Sequence, residues 1–112
     1  VGIAPGTSTS VNDTLKNFVF NLPAGTYVAV ANGVLDPNNF AANPDGRDIA
    51  FTIFAKGDAR EAGTDPNNVD FFVLHGATDA PTVDVIARDV ITLVDDAAYG
   101  DITDYISVPA AS

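Results

Sequence analysis

Apolar and polar positions alternate along most of the chain, and a helical period is almost absent. In "LKNFVFNL", Phe18, Phe20 and Leu22 fall on one face, while Asn17, Val19 and Asn21 fall on the other. "TYVAVAN" follows the turn residues "PAG". "DIAFTIFA" places Ile49, Phe51 and Ile53 together, and "VDFFVLH" places Val69, Phe71 and Val73 together with His75 in the same parity. "TVDVIA" sets Val83 and Val85 inward with Asp84 outward, and "DYISVP" closes the series. Val1 to Ala4 and Ile91 to Val94 are shorter candidates, so the pattern predicts roughly six to eight strands. The one stretch expected to form a helical turn is Asp95 to Tyr99.

The connections "APGTSTSVNDT", "DPNNFAANPDGRD" and "GDAREAGTDPNN" are rich in Gly, Pro, Asn, Asp, Ser and Thr, the residues that make turns. Short strands separated by such loops predict an all-β, immunoglobulin-like antiparallel β-sandwich. No composition break divides the chain, so residues 1–112 are expected to form a single domain.

Composition narrows the partners more than the activity. The 112 residues are 46% hydrophobic, with seven Phe and three Tyr, enough to build a core. Fifteen acidic residues against five basic ones give a formal charge of -10. That balance argues against nucleic acid and against anionic membrane surfaces, both of which need a basic face. It suits an acidic surface that repels its own kind, or cation binding. No apolar run approaches the about 18 residues of a membrane span. The absence of Cys removes thiolate catalysis, Cys-zinc sites and disulfides. The chain opens on "VGIAPG" without a Met or a visible signal peptide, as a piece of a longer or processed protein would.

One internal similarity stands out. Leu22 to Gly33 reads "LPAGTYVAVANG"; the chain ends "VPAAS" and begins "VGIAPG". With the end written before the beginning and one residue between them, the two strings align without a gap. Pro23 then matches Pro109, Ala24 matches Ala110, Val28 matches Val1, Ala31 matches Ala4 and Gly33 matches Gly6. Each string reads as strand, Pro-Ala turn, strand. The chain is therefore expected to be one period of a tandem array in a permuted frame. Its termini should then lie together, or pair with a neighbouring molecule by strand exchange.

Three landmarks carry a resemblance. They are His75 with Asp79-Ala80-Pro81 and Val83-Asp84-Val85; "YGDITDYISVPA"; and "NLPAGTYVAVANGVLDP". Together they cover most of the chain, which resembles a bacterial extracellular domain family of unknown function, often found in tandem in secreted and cell-surface proteins. The chain departs from the family pattern at Gly76 and Thr78, where other small or Pro residues are expected, so the turn after His75 should be looser. The landmark order is also rotated, in line with a permuted frame. The resemblance implies a β-sandwich, an extracellular or cell-surface location, and a structural or adhesive role beside neighbouring repeats, without known catalysis.

The candidate sites divide by chemistry. His75 with Asp79 and Asp84 could form a base and its orienting carboxylate. A hydrolase also needs an activated nucleophile, and Ser8, Ser10, Ser107 and Ser112 lie in no recognisable setting. The stronger expectation is a structural turn. His75 points inward and bonds a backbone group or Asp79, Pro81 fixes the bend, and Asp84 faces solvent. Calcium takes about six to eight hard oxygens. Asp36, Asn38, Asp45, Asp48, Asp65, Asn67 and Asp70 are the residues the loops could offer it, although "DPNN", which occurs twice, is also a good turn. Asp95, Asp96, Asp101 and Asp104 crowd near Tyr99 and Tyr105. Sugar chemistry is conceivable there, but an acidic face over core tyrosines explains the pattern. No cofactor is required. The sequence thus predicts a non-enzymatic structural or adhesive module, with a calcium- or carbohydrate-binding module as the alternative. The expected partners are neighbouring repeats of the same protein and, further, an extracellular glycan or protein ligand.

Overall fold

Eight strands form, at the upper end of the expected number, in a computed structural model that describes residues 1–87 and 91–111. They are β1 (Gly2–Ile3), β2 (Lys16–Asn17), β3 (Val28–Asn32), β4 (Thr52–Lys56), β5 (Asn68–Phe71), β6 (Val83–Ala87), β7 (Ile91–Ala97) and β8 (Ile106–Pro109). The all-β expectation holds. Among the described residues the strands pair as four two-stranded antiparallel ladders: β1 with β2, β3 with β4, β5 with β8, and β6 with β7. Ser112 lies outside the described residues.

Pairing stays within each half of the chain. In the first half, Val28 opposes Lys56 and Asn32 opposes Thr52. In the second, Asn68 opposes Pro109 and Phe71 opposes Ile106. The Leu74–Ile102 bridge carries that ladder up to His75. The β6–β7 ladder is irregular around Val85, where its register shifts.

Several local expectations are corrected. Asp95 to Tyr99 is not a helical turn, because β7 runs through Ala97. Asp96 takes a positive φ of 53° there, accommodating the irregular register; Asp tolerates that region better than most residues. Of "LKNFVFNL", Lys16 and Asn17 pair in β2 and Phe18 exchanges both backbone hydrogen bonds with Val1, at 2.8 and 2.6 Å, while Val19 to Leu22 lie outside any ladder. "LPAGTYVAVANG" is therefore not a paired hairpin: β3 turns to β4, and Tyr27 instead closes the bend by donating its hydroxyl to the Pro23 carbonyl at 2.7 Å. At the ends of the chain, β1 pairs with β2 and β8 with β5.

Side chains, rather than strands, join the two halves. Phe54 meets Tyr99 edge-on at 5.8 Å, and Phe72 meets Tyr105 at 5.5 Å. Lys56 Nζ sits 5.3 Å from the Phe72 ring and 5.2 Å from the Tyr105 ring. The Arg60 guanidinium lies 3.9 Å above Tyr105. Cation–π contacts of this kind tolerate partial solvent access, which suits a seam that is not dry. A separate aromatic group, Phe18 with Phe20 and Phe51, caps the first half. There Lys16 donates to the Phe51 carbonyl at 2.6 Å.

Little of the chain is fully buried. Among the described residues only Ala97, 4% exposed, and His75, 6% exposed, are buried as whole residues, and ten large apolar side chains, from Val1 to Ile91, are exposed. The radius of gyration is 17.3 Å, against about 13 Å for a compact chain of this length. Among the described residues, no helix is long and apolar enough to cross a membrane.

Candidate functional site

His75 stands at the end of the extended β5 arm, held on both sides of its backbone. Its N–H donates to the Asp101 carbonyl at 3.0 Å, and its carbonyl accepts from Gly100 N–H at 2.8 Å. The alternation that put His75 inward is correct: it is the one buried polar residue among those described. Its ring Nε2 lies 2.9 Å from the Pro81 carbonyl. A carbonyl can only accept, so Nε2 carries the proton. Of the two partners expected for the ring, the backbone is the one used. Asp79 is exposed, and Tyr99 meets the imidazole edge-on at 6.4 Å.

Asn32, at the end of β3, ties this turn to the first half of the molecule. Its Nδ2 donates to the Gly76 carbonyl and to the Tyr99 hydroxyl oxygen, each at 3.1 Å. Gly76 has a packing reason to be Gly, since a Cβ there would sit 2.9 Å from Asn32 Oδ1. The turn after His75 is also not loose. The Thr78 carbonyl accepts from Asn43 Nδ2 at 2.6 Å and Arg47 Nη1 at 3.2 Å. Asn32 escaped the sequence reading because nothing local marks it. Only its place before Gly33, at the end of a strand, hinted at a role. A shallow cleft of about 420 Å³ opens alongside, walled by Gly33, Val34, Phe40, Asn43, Ile49 and Asp79 among others.

Of the seven residues proposed for calcium, no three carboxylates gather at one point among the described residues. The Asp36 carboxylate caps a short 3-10 turn, Pro37–Asn39, by accepting from the Asn38 N–H at 3.1 Å and from both following Asn amides. Asp65 accepts from Asn67 N–H at 2.8 Å, so both "DPNN" motifs serve as turns. Asp48 accepts from Ala50 N–H at 2.9 Å, and Asp45 pairs with Arg47 at 2.7 Å. Asp70 is nearly covered by its neighbours, with its side chain 5% exposed, and its Oδ2 accepts from Arg60 at 2.9 Å and from the Thr64 N–H at 3.2 Å. Its Oδ1 has no donor in good geometry, yet the neighbouring Ser107 hydroxyl, with the Thr64 N–H next, holds the Asp70 carboxyl below its usual range. Ser107 already accepts from Asn68 Nδ2, which leaves its own proton free to turn toward Asp70. That reconciles the two observations.

Three carboxylates do come together elsewhere. Oxygens of Asp84, Asp95 and Asp96 lie within 4.8 Å of one another across the β6–β7 hairpin, all exposed. The Asp96 N–H donates to Asp84 Oδ1 at 2.8 Å. Asp84 faces solvent as expected, and its gathering with Asp95 and Asp96 follows from pairing "VDV" against "DDA", a register the sequence pattern did not supply.

The charge of Asp96, followed by a hydrogen bond and charge from Asp84, raises the Asp95 carboxyl above its ordinary value. A carboxyl raised in the folded state favours folding when protonated, and that contribution is lost as pH rises through the folded value. Asp95→Asn removes the repulsion, so it is expected to melt above the parent near neutral pH. The gap should close as pH falls below the raised value, and melting temperatures measured across that acid range check it. A gap that stays constant with pH would assign the effect to something other than charge.

Compared with known proteins, the chain matches no family model, no curated protein sequence and no solved structure.

Proposed function

We propose that this chain is a non-enzymatic structural or adhesive module, one unit of a tandem array in a bacterial cell-surface or secreted protein. Its work is extension and contact with neighbouring repeats, and its ladders close into an immunoglobulin-like sandwich when apolar faces are covered. The observation that carries the reading is the outward apolar surface. Among the described residues ten large apolar side chains are exposed, and only Ala97 and His75 are buried as whole residues. Apolar side chains left outside the chain's own packing support a role in contact with other surfaces. The His75 imidazole supports the same reading, because its Nε2 is committed to a backbone carbonyl as a fastener. The turn around it is the landmark by which the chain resembles a tandem extracellular family.

The alternative, a calcium- or carbohydrate-binding module, has less support. The loop carboxylates already serve turns and caps, and the Asp84–Asp95–Asp96 group is exposed to water. Two copies joined in tandem are expected to melt above a single copy, because neighbouring units in an array stabilise one another. Equal melting temperatures would overturn the array reading. A calcium-induced rise in melting temperature, reversed by chelator and absent in Asp95→Asn, would replace it with the alternative. Turnover of an ester or glycoside substrate by the folded chain would replace both.

A further inference from the structure

Of the nine asparagines in the chain, only Asn32 is followed by glycine. That pairing has a chemistry of its own. The amide nitrogen of the following residue can attack the asparagine Cγ, and glycine, having no Cβ, leaves that nitrogen least shielded and its backbone freest to turn. Asn32 is also a residue that fastens β3 to the second half of the chain. Its Nδ2 donates to the Gly76 carbonyl and to the Tyr99 hydroxyl oxygen, each at 3.1 Å. Tyr99 is itself fixed, with the Phe54 ring edge-on at 5.8 Å and the His75 ring at 6.4 Å. The side-chain amide most open to self-attack by sequence is therefore a link between the two halves.

The fold holds this amide away from reaction. For the attack, Asn32 Cγ must swing round to the Gly33 nitrogen, and both donor bonds of Nδ2 must break first. Gly33 is pinned as well. Asn32 is in register with Thr52 on β4, and the Val34 N–H bonds the Ile49 carbonyl at 2.9 Å, so Gly33 lies between two fixed points. Burial is not the shield, because Gly33 is exposed to water. The shield is the pair of bonds that Asn32 makes across the seam.

We propose that Asn32 is a deamidation site gated by the seam: it reacts when the two halves part, and its products keep them from closing as before. This goes beyond the reading of the chain as a contact module and does not depend on it. The Gly33 nitrogen bonds to Asn32 Cγ, the Cγ–Nδ2 bond breaks, and the Gly33 proton passes through water to the departing nitrogen, which leaves as ammonia. Water then opens the cyclic imide at one of its two carbonyls. One opening gives aspartate; the other routes the main chain through the side chain as isoaspartate. Both products lose the Nδ2 donor and gain a negative charge. In the aspartate, an oxygen stands where Nδ2 faced the Gly76 carbonyl, so two acceptors meet. In the isoaspartate, the main chain is one carbon longer just before Gly33, where an added Cβ would already stand 2.5 Å from the Ala50 carbonyl oxygen. Neither product suits the seam, and the step does not reverse, so modified chains accumulate as a record of opening.

The test follows the intact 112-residue chain in mildly alkaline buffer, folded and in urea, by mass and by mapping the tryptic peptide from Asn17 to Arg47. In urea, Asn32 is expected to react first among the asparagines, gaining about 1 Da. In the folded chain it should react at least about tenfold more slowly, because a local opening must come first. Tyr99→Phe removes one acceptor and keeps the ring. It should speed the reaction of the folded chain roughly threefold or more and leave the rate in urea unchanged. Tyr27→Phe removes a hydroxyl bond to the Pro23 carbonyl, outside the seam, and should change neither rate. Asn32→Asp, which is one of the two products, should melt below the parent or fail to fold.

Equal rates in the folded and unfolded chains would overturn the proposal. So would an Asn32 that stays intact in urea, a Tyr99→Phe chain that reacts no faster than the parent when folded, or an Asn32→Asp chain that melts like the parent. A Tyr27→Phe chain that reacts as fast as Tyr99→Phe would trace the effect to general loosening and end the role of the seam.

Discussion

Gly33→Ala is expected to lose about 3–5 kcal/mol of stability, a large share of what a domain of this size possesses. Gly33 has a φ of 83°, a region where a Cβ costs about 1–2 kcal/mol. It also lies where the chain leaves β3 and crosses the segment before β4. The Val34 N–H donates to the Ile49 carbonyl at 2.9 Å, and the Phe51 N–H donates to the Val34 carbonyl at 2.8 Å. A Cβ on Gly33 would stand 2.5 Å from the Ala50 carbonyl oxygen and 2.7 Å from that of Ile49. Both obstacles are backbone, which cannot rotate away as a side chain can. Gly46 separates the two causes. Its φ is 70°, but nothing lies within 4 Å of its would-be Cβ. Gly46→Ala should therefore cost only about 1 kcal/mol. Urea unfolding of the two variants checks this, and equal costs would mean that the crossing is not as close as described.

His75→Ala is expected to cost about 2–4 kcal/mol, combining a lost buried ring with a lost hydrogen bond. The ring joins the Pro81 carbonyl to the edge of Tyr99. Tyr99 in turn receives Asn32 from the other half of the chain. Loosening the turn should therefore weaken the seam as well as the second half. His75→Gln is expected to recover part of the loss, because the glutamine Nε2 can donate from nearly the same place. Thermal unfolding compares the two. A His75→Ala chain that melts like the parent, but has lost a binding or hydrolytic activity, would end the structural reading of this histidine.

Most of the strand positions were legible because alternation is a local signal. "TYVAVAN", "TVDVIA" and "DYISVP" became β3, β6 and β8 with small boundary shifts. The inward pointing of His75 was legible for the same reason. Alternation failed at Val69 and Asp70. Parity set Val69 inward with Phe71, yet Val69 is half-exposed while Asp70 is covered. Arg60 and Thr64 hold the Asp70 carboxylate beneath the loop. A charge satisfied by several donors can be covered, and no strand pattern announces donors that arrive from a loop. "LKNFVFNL" failed differently. Its alternation is good, but beyond Phe18, which still bonds Val1, the residues Val19 to Leu22 find no partner strand among the described residues, and alternation cannot tell a paired strand from an extended segment that merely packs a Phe ring.

The sequence by itself determined the all-β character, the turn role of both "DPNN" motifs and the burial of His75, since each follows from residues near one another in the chain. Tertiary structure alone decided which strands pair, that the chain's two halves meet through Asn32, Phe54, Lys56 and Arg60, and that Asp84 gathers with Asp95 and Asp96. Those outcomes depend on contacts between distant positions. Pairing energy is nearly the same for many alternating strands, so side-chain fit at the seam and the register of each ladder select among them.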